Sequence, residues 1–288
     1  MQRRFRWSKQ EKTAIGLGSL AALVLLLTLV LVIVRRPIQE EKKQDPVEES
    51  VSEWSEAVTT LLWIVGEDHP LPTSYVPDKL RRIQGSEVSL VEEAARAFES
   101  MCEDMSVPVY PANGYISAAA QQNLYDNMLQ KYIDEGYTQE RAMLAIAEDY
   151  LPGGQDEHQL GLTVDVCADR SLILDVDFQS TEQGKWLRDH AWEYGFVYRD
   201  RPDNKSVFKP WQLRYVGEVH AEVMNNLGLT LDEYLRYLED KKTTYVYKVG
   251  TAGKDMVIYF SDMLDSTKDK IKEVSGDNQG HYVIVCYQ

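Results

Sequence analysis

The stretch from Asp156 to Val166, DEHQLGLTVDV, sets one imidazole and one carboxylate where they can meet. His158 lies on a polar loop and Gly161 follows two residues after Gln159. Asp165 falls in the apolar strand pattern LGLTVDVCA, whose Thr163, Asp165 and Cys167 share a face by period two. Catalytic zinc sites use three protein ligands and leave the fourth position to water, so His158 and Asp165 offer two of the three donors. The pair also reads without a metal, with Asp165 hydrogen-bonded to loop amides and His158 an ordinary surface residue. Further along, FKPWQLRYVG sets Lys209 and Gln212 in a largely apolar stretch.

Other residues could join such a site. Cys167 could turn its thiol to the same ion or serve as a small core residue. Asp156 and Glu157 could add carboxylates. His69, beside Pro70, reads as a turn residue, and His190 as a surface or groove-lining residue of a helix. Cys102, Cys167 and Cys286 are too few and too scattered for a disulfide framework or a zinc ribbon. GTAGK, residues 250–254, lacks the spacing of a phosphate loop and precedes a strand rather than a helix.

Regular elements must hold these residues, and the sequence marks most of them. SLVEEAARAFESMCEDM opens with a capping-box pattern, Ser89 to Glu92, and puts Leu90, Ala94, Ala97, Phe98 and Met101 on one helical face. AAAQQNLYDNMLQKYIDEG predicts a helix ending at Gly136. TQERAMLAIAEDY predicts another with Thr138 as N-cap, stopped by Leu151-Pro152-Gly153-Gly154. TEQGKWLRDHAWEYGF is helical, with Trp186, Leu187 and Tyr194 at core spacing and Gly195 closing it. TLDEYLRYLEDKK opens with a second capping box, Thr230 to Glu233. Residues 54–80 combine an apolar run with a Pro-punctuated extended segment, expected to lie across the domain surface. The tail reads as two alternating strands, TYVYKV and DMVIYF, then a helical or looped DMLDSTKDKIKEVSGDN, then a terminal strand GHYVIVCYQ.

Residues 14–34, AIGLGSLAALVLLLTLVLVIV, carry no charge, and as a helix rising about 1.5 Å per residue they would match a bilayer core. The run is longer than a signal-peptide core and no small-residue cleavage pattern follows it, so it predicts a single-pass signal anchor. Arg3, Arg4, Arg6, Lys9 and Lys12 precede it, which places residues 1–13 in the cytoplasm and the main domain outside the cell membrane. The first 36 residues hold seven of the 31 Lys/Arg and one of the 46 Asp/Glu. The remainder therefore carries 24 basic against 45 acidic residues, a net of −21, which excludes a nucleic-acid groove. PIQEEKKQDPVEES suits a solvated stalk. The expected organisation is a cytoplasmic tail 1–13, an anchor 14–34, a stalk 35–52, a folded domain 53–241 and a β-rich extension 242–288.

Six segments in order, HPLPTSYVPDKL, NGYISAAAQQNLYD, GGQDEHQLGLTVDV, WLRDHAWEYGFVYR, KPWQLRYVG and HAEVMNNLGLTLDEYL, resemble the VanY-type D-alanyl-D-alanine carboxypeptidases, which trim peptidoglycan stem peptides. The resemblance covers residues 60 to 240. It implies an α+β fold, a small antiparallel sheet with flanking helices, in a bacterial cell-wall setting, and a zinc held by His, Asp and His. His158 and Asp165 match the first two ligands. Tyr115, Gln121, Asp156, Trp211 and Tyr215 become candidates for the substrate cleft. His220 matches a histidine that the family carries beside its complete ligand set, which implies a structural role.

The sequence departs from the family pattern where chemistry is done. The family's E-P-W-H becomes Lys209-Pro210-Trp211-Gln212, so Gln212 stands at the position of the third ligand and Lys209 at that of the general base. Its S-G-Y-R-S becomes Asn113-Gly114-Tyr115-Ile116-Ser117, so the oxyanion-steadying arginine is Ile116. A Gln amide oxygen is a weaker zinc donor than imidazole, and an ammonium cannot accept a proton from an attacking water. A single positive charge about 5 Å from a divalent cation costs on the order of 6 kcal/mol at an effective dielectric near 20. Loss of an oxyanion donor commonly costs about 10²–10³ in rate. The expectation is therefore a membrane-anchored VanY-like protein that has lost its activity and binds a peptidoglycan peptide or an envelope partner, with Lys209 paired to Asp165 in place of the ion. Two alternatives stand beside it: a working zinc peptidase using Gln212 or a nearby carboxylate as substitute ligand, and a structural envelope protein.

Overall fold

A computed structural model describes residues 58–287, except 148, 202, 204–207, 242–244, 249–254 and 265–269. The predicted tail, anchor and stalk over 1–52 and the Gly-containing turn at 250–254 lie outside the described residues. Among the described residues no helix is long and apolar enough to cross a membrane.

Strands β1 (Leu80–Arg82) and β2 (Ser89–Val91) pair antiparallel and lead into α1 (Glu92–Asp104), which buries Ala94, Ala95, Phe98 and Met101. The predicted Ser89 cap does not form, because Ser89 pairs with Arg82 as a strand residue and the helix starts at Glu92. Tertiary carbonyls take over near the helix start: Val91 N–H donates to Gly161 O at 2.8 Å and Glu92 N–H to Lys79 O at 2.9 Å. After β3 (Tyr110–Asn113) come α2 (Ala118–Asp134) and α3 (Gln139–Ile146). The side chains of Ser117 and Thr138 cap these two helices by accepting from the amides of Ala120 and Arg141.

A 3₁₀ turn at Glu157–Leu160 leads through Gly161 into β4 (Thr163–Cys167), all five residues of which are buried. Gly161 has φ 69°, and a Cβ there would press on Leu80, Pro77 and Val91, so the turn that sets His158 against β4 needs glycine. A second 3₁₀ turn (Val176–Ser180), α4 (Glu182–His190) and a third 3₁₀ turn (Ala191–Tyr194) precede β5 (Phe196–Tyr198) and β6 (Gln212–Tyr215). Helices α5 (Glu218–Leu227) and α6 (Leu231–Lys241) follow. At the start of α6 the predicted capping box is reciprocal: Thr230 N–H donates to Glu233 and Glu233 N–H to Thr230 Oγ1.

The central sheet has the order β3-β4-β6-β5 and is antiparallel throughout. Its register places Asp165 opposite Asn113 on one side and Gln212 on the other, with Thr163 opposite Arg214. By the alternation of strands, Thr163, Asp165, Gln212 and Arg214 share the site face. Val164, Val166, Leu213 and Tyr215 occupy the other face and belong to the core, where Phe196 packs edge-on against both Phe98 and Tyr215.

The tail forms a second antiparallel sheet, β7 (Tyr245–Lys248), β8 (Asp255–Ser261), β9 (Ile271–Gly276) and β10 (Tyr282–Tyr287), in the order β7-β8-β10-β9. Strand β9 lies in a segment expected to be helical or looped. Pairing with β10 supplies the apolar complement that its own IKEVSG lacks. Met256, Ile258, Val283 and Val285 join the same core as the central sheet. The segment near residue 60 is buried rather than laid on the surface. Thr59 N–H donates to Val274 O at 2.9 Å, Leu62 N–H to Ser275 Oγ at 3.1 Å, and Leu62 is fully enclosed.

Candidate active site

His158 is buried between two carboxylates. Its Nδ1 lies 2.8 Å from Asp156 Oδ1, and its Nε2 lies 3.3 Å from Asp165 Oδ2. Nε2 is close enough for an ion pair, yet its alignment leaves it without a hydrogen-bond partner. Burial opposes a charged ring, but Asp165 and Asp156 more than offset it and hold the His158 pKa up at about 10. Burial likewise pushes both carboxylates up, and the His158 charge overrides it, so Asp156 and Asp165 titrate below their usual range.

Asp165 takes two amide donors as well. Asn113 Nδ2 donates to Oδ2 at 3.0 Å and Gln212 Nε2 to Oδ1 at 3.2 Å. The expected pairing of Lys209 with Asp165 is therefore corrected: the neutral amide of Gln212 stands beside Asp165. Lys209 instead lends a favourable charge at Asp156 and makes no ion pair among the described residues. Ile116 N–H is directed at His158 O at 3.4 Å. Its side chain has neither charge nor donor to offer.

Beneath this pair runs a buried charge cluster that the sequence reading missed. Arg199 donates to Glu157 at 2.6 Å and also binds Asp232, while Arg214, fully buried, lies 3.9 Å from the other Glu157 oxygen. Arg214 Nη2 is fixed by the carbonyls of Leu61 and Trp63 at 3.1 and 3.0 Å. Burial drives its pKa down to about 10, with Glu157 working against that fall. The signal was present in the sequence: an arginine in the middle of the apolar strand LRYV must bring a counter-charge with it.

The other candidates fall in different places. Tyr115 is half-buried and donates its N–H to Ser89 O; Trp211 is partly buried against the core. Gln121 is buried and donates to Leu151 O at 2.7 Å, which ties down the loop before the site rather than lining a cleft. Tyr215 is buried on the opposite face of the sheet, its hydroxyl donating to Glu93, because strand alternation turns it away from Gln212. Cys167 is enclosed, and burial raises its thiol pKa. His190 is at the surface with Glu193, and His220 is fully buried between Tyr234 and Glu273.

The donor set can be tested against zinc. Ligand atoms about 2.0–2.1 Å from a tetrahedral ion lie about 3.3 Å apart, which is the spacing of His158 Nε2 and Asp165 Oδ2. Those two atoms suit a metal. The third ligand does not follow, because Gln212 presents its amide nitrogen to Asp165. Asp156 and Glu157, the carboxylates that could have substituted, are engaged by His158 and by Arg199. Among the described residues no group of three or more His, Cys, Asp and Glu is placed to hold an ion. The residues present do not complete a three-ligand catalytic zinc site.

The family profile described as VanY, D-alanyl-D-alanine carboxypeptidase, matches residues 87–218, which span every site residue from Asn113 to Gln212. The chain belongs to the VanY family. It is 26% identical over 215 residues to a D-alanyl-D-alanine carboxypeptidase of Enterococcus faecium, covering 70% of this chain and 63% of the relative. It is 30% identical over 190 residues to another of that name from Enterococcus faecalis, covering 64% and 66%. The chain thus spans just under two thirds of the length of these VanY-family relatives. Among solved structures it resembles a zinc-bound VanY D,D-pentapeptidase variant from a VanB-type vancomycin-resistance cassette. That match has a TM-score of 0.50 and 28% identity, over 60% of this chain and 98% of that one.

Proposed function

We propose that this VanY-family chain binds a D-alanyl-terminated peptidoglycan peptide in the cleft around His158 and Asp165 without hydrolysing it. The observation that carries this reading is the state of Asp165. Its Oδ2 accepts from Asn113 and its Oδ1 from Gln212, with the His158 ring 3.3 Å from Oδ2, so Asp165 itself is not free to activate water. The names of the relatives, D-alanyl-D-alanine carboxypeptidases, supply the ligand class. The uncharged run 14–34 and its basic N-terminal flank support a signal anchor that holds the domain outside the cell membrane, where such peptides occur.

A second reading has one observation in its favour. The 3.3 Å spacing of His158 Nε2 and Asp165 Oδ2 suits zinc, and a Gln212 side chain turned about would present its oxygen as a weak third donor. The two readings separate on the full-length chain purified in detergent micelles, supplied with zinc, dialysed, and titrated with a peptide ending in D-alanyl-D-alanine. The first expects well under one zinc per chain and peptide binding that a chelator leaves unchanged. Near one zinc per chain, with terminal D-alanine released and that release lost in Asp165→Ala, overturns it in favour of the second. A protease-protection assay on intact cells tests the anchor: the domain is expected to be digested from outside, and full protection would reject that orientation.

A further inference from the structure

We propose that the cavity between α6 and the tail sheet binds a linear aliphatic polyamine, at a site separate from the His158 cleft. The proposal does not depend on the peptide reading above. The cavity has a volume of about 480 Å³, a size typical of small-ligand sites. Its walls are the segment at Ile64 and His69, the segment after β5 at Asp200 and Asp203, and one side of α6. Phe260 of β8 and Asp277 and His281 of the β9–β10 turn close it. Most of these walls, α6 and the tail sheet included, lie outside residues 87–218 that the family profile matches.

Six carboxylates and two guanidiniums line the cavity, and most of them are committed. Asp232 binds Arg199 and Glu233 binds Arg201. Asp277 accepts from the amides of Gln279 and His281 at 2.8 and 2.9 Å and faces the His281 ring. Arg201 also donates to Gly228 O, and Arg236 donates within its own helix to Asp232 O at 3.2 Å. Asp200, Asp203 and Glu239 remain, and none makes a side-chain hydrogen bond or an ion pair with a described residue. Burial pushes the Asp200 pKa up while Arg199 opposes the rise, so an arriving cation would offset a cost already present.

The spread of these charges selects the kind of cation. Among the described residues no three His, Cys, Asp or Glu side chains converge to hold an ion, so the walls do not offer a metal its ligands. Asp200 and Asp203 come from the segment after β5 and Glu239 from the far part of α6, with Ile64, Leu235 and Phe260 supplying apolar surface in the same cavity. A linear polyamine carries ammonium groups separated by short methylene runs. It therefore meets dispersed carboxylates and apolar surface at once. Phe260 packs against the His281 ring with centroids 4.8 Å apart, and an aromatic face also attracts an ammonium.

The test uses the full-length chain in detergent micelles at about 150 mM salt, where long-range attraction to an acidic protein is largely screened. Spermidine is titrated by calorimetry, with triethylene glycol as a neutral chain of similar length. The expected result is saturable binding of one spermidine per chain and no binding of the glycol. Asp203→Asn combined with Glu239→Gln is expected to weaken spermidine at least about tenfold. Both residues are exposed, so the melting temperature should not move. Glu103→Gln removes an exposed charge near the end of α1 and should leave the affinity unchanged. Absence of saturable binding, or equal binding of the glycol, overturns the proposal. So does spermidine binding that the double variant leaves intact, or that Glu103→Gln weakens as much, since the attraction would then belong to the acidic body as a whole. Each of these outcomes leaves the peptide reading untouched.

Discussion

Two buried histidines in this protein each face a carboxylate, and they are held in opposite ways. His220 is fully enclosed, with Nδ1 2.8 Å from the Tyr234 hydroxyl and Nε2 2.9 Å from Glu273 on β9 of the tail sheet. Residues of α5, α6 and β9 thus meet around one imidazole. His158 lies in the 3₁₀ turn before β4, on the site face of the central sheet, and its neighbour Asp165 also accepts from Asn113 and Gln212. The difference separates a ring that joins three elements of the fold from a ring that shares its carboxylate partner with two amide donors.

Breaking the enclosed pair should have the largest effect. Glu273→Ala strands His220 in the core and is expected to cost about 3 kcal/mol, measured by denaturant unfolding. Burial opposes the Glu273 charge, but the bond and charge of His220 hold its pKa below the usual carboxylate range. A depressed carboxylate contributes stability above its unfolded pKa and loses that contribution as the pH falls through its folded value. The gap between the parent chain and Glu273→Gln should therefore be full at neutral pH and shrink below about pH 4.3. A gap that persists unchanged at low pH would contradict this assignment.

The cleft histidine should respond less. His158→Gln keeps hydrogen-bonding capacity between Asp156 and Asp165 but removes the ring's charge. It is expected to cost about 2 kcal/mol near neutral pH in the same unfolding measurement, a cost that shrinks as the pH rises toward about 10 and the parent ring loses its proton. A loss matching that of Glu273→Ala would erase the distinction between the two rings. Converting the cleft should change metal affinity rather than stability. Ile116→Arg, Lys209→Glu and Gln212→His combined are expected to raise zinc content to near one per chain before any peptidase activity appears. Chelator is expected to leave the melting temperature of the parent chain unchanged and to lower that of the triple variant.

Much of this architecture was legible in the sequence, for identifiable reasons. Thr138 and the Thr230–Glu233 box announced two helices because a cap is a local device. Ser89 carried the same signal and misled, because pairing with Arg82 outweighed local capping. Strand β9 was hidden because Lys272 and Glu273 dilute its apolar content and its partner strand lies several residues beyond. Within the site, strand periodicity and motif order placed His158, Asp165 and Gln212 together. Which charges were already committed was not legible. Glu157 is taken by Arg199, 42 residues away, and Lys209 acts at Asp156 rather than at Asp165. Such allegiances are decided by tertiary neighbours.

The central claim is that the cleft binds without cutting. Its most direct test is release of terminal D-alanine by the zinc-supplied full-length chain, run beside the Asp165→Ala variant on the same peptide. The account predicts no release above background from either protein, although the parent chain binds the peptide. Turnover by the parent chain that disappears in Asp165→Ala would contradict it.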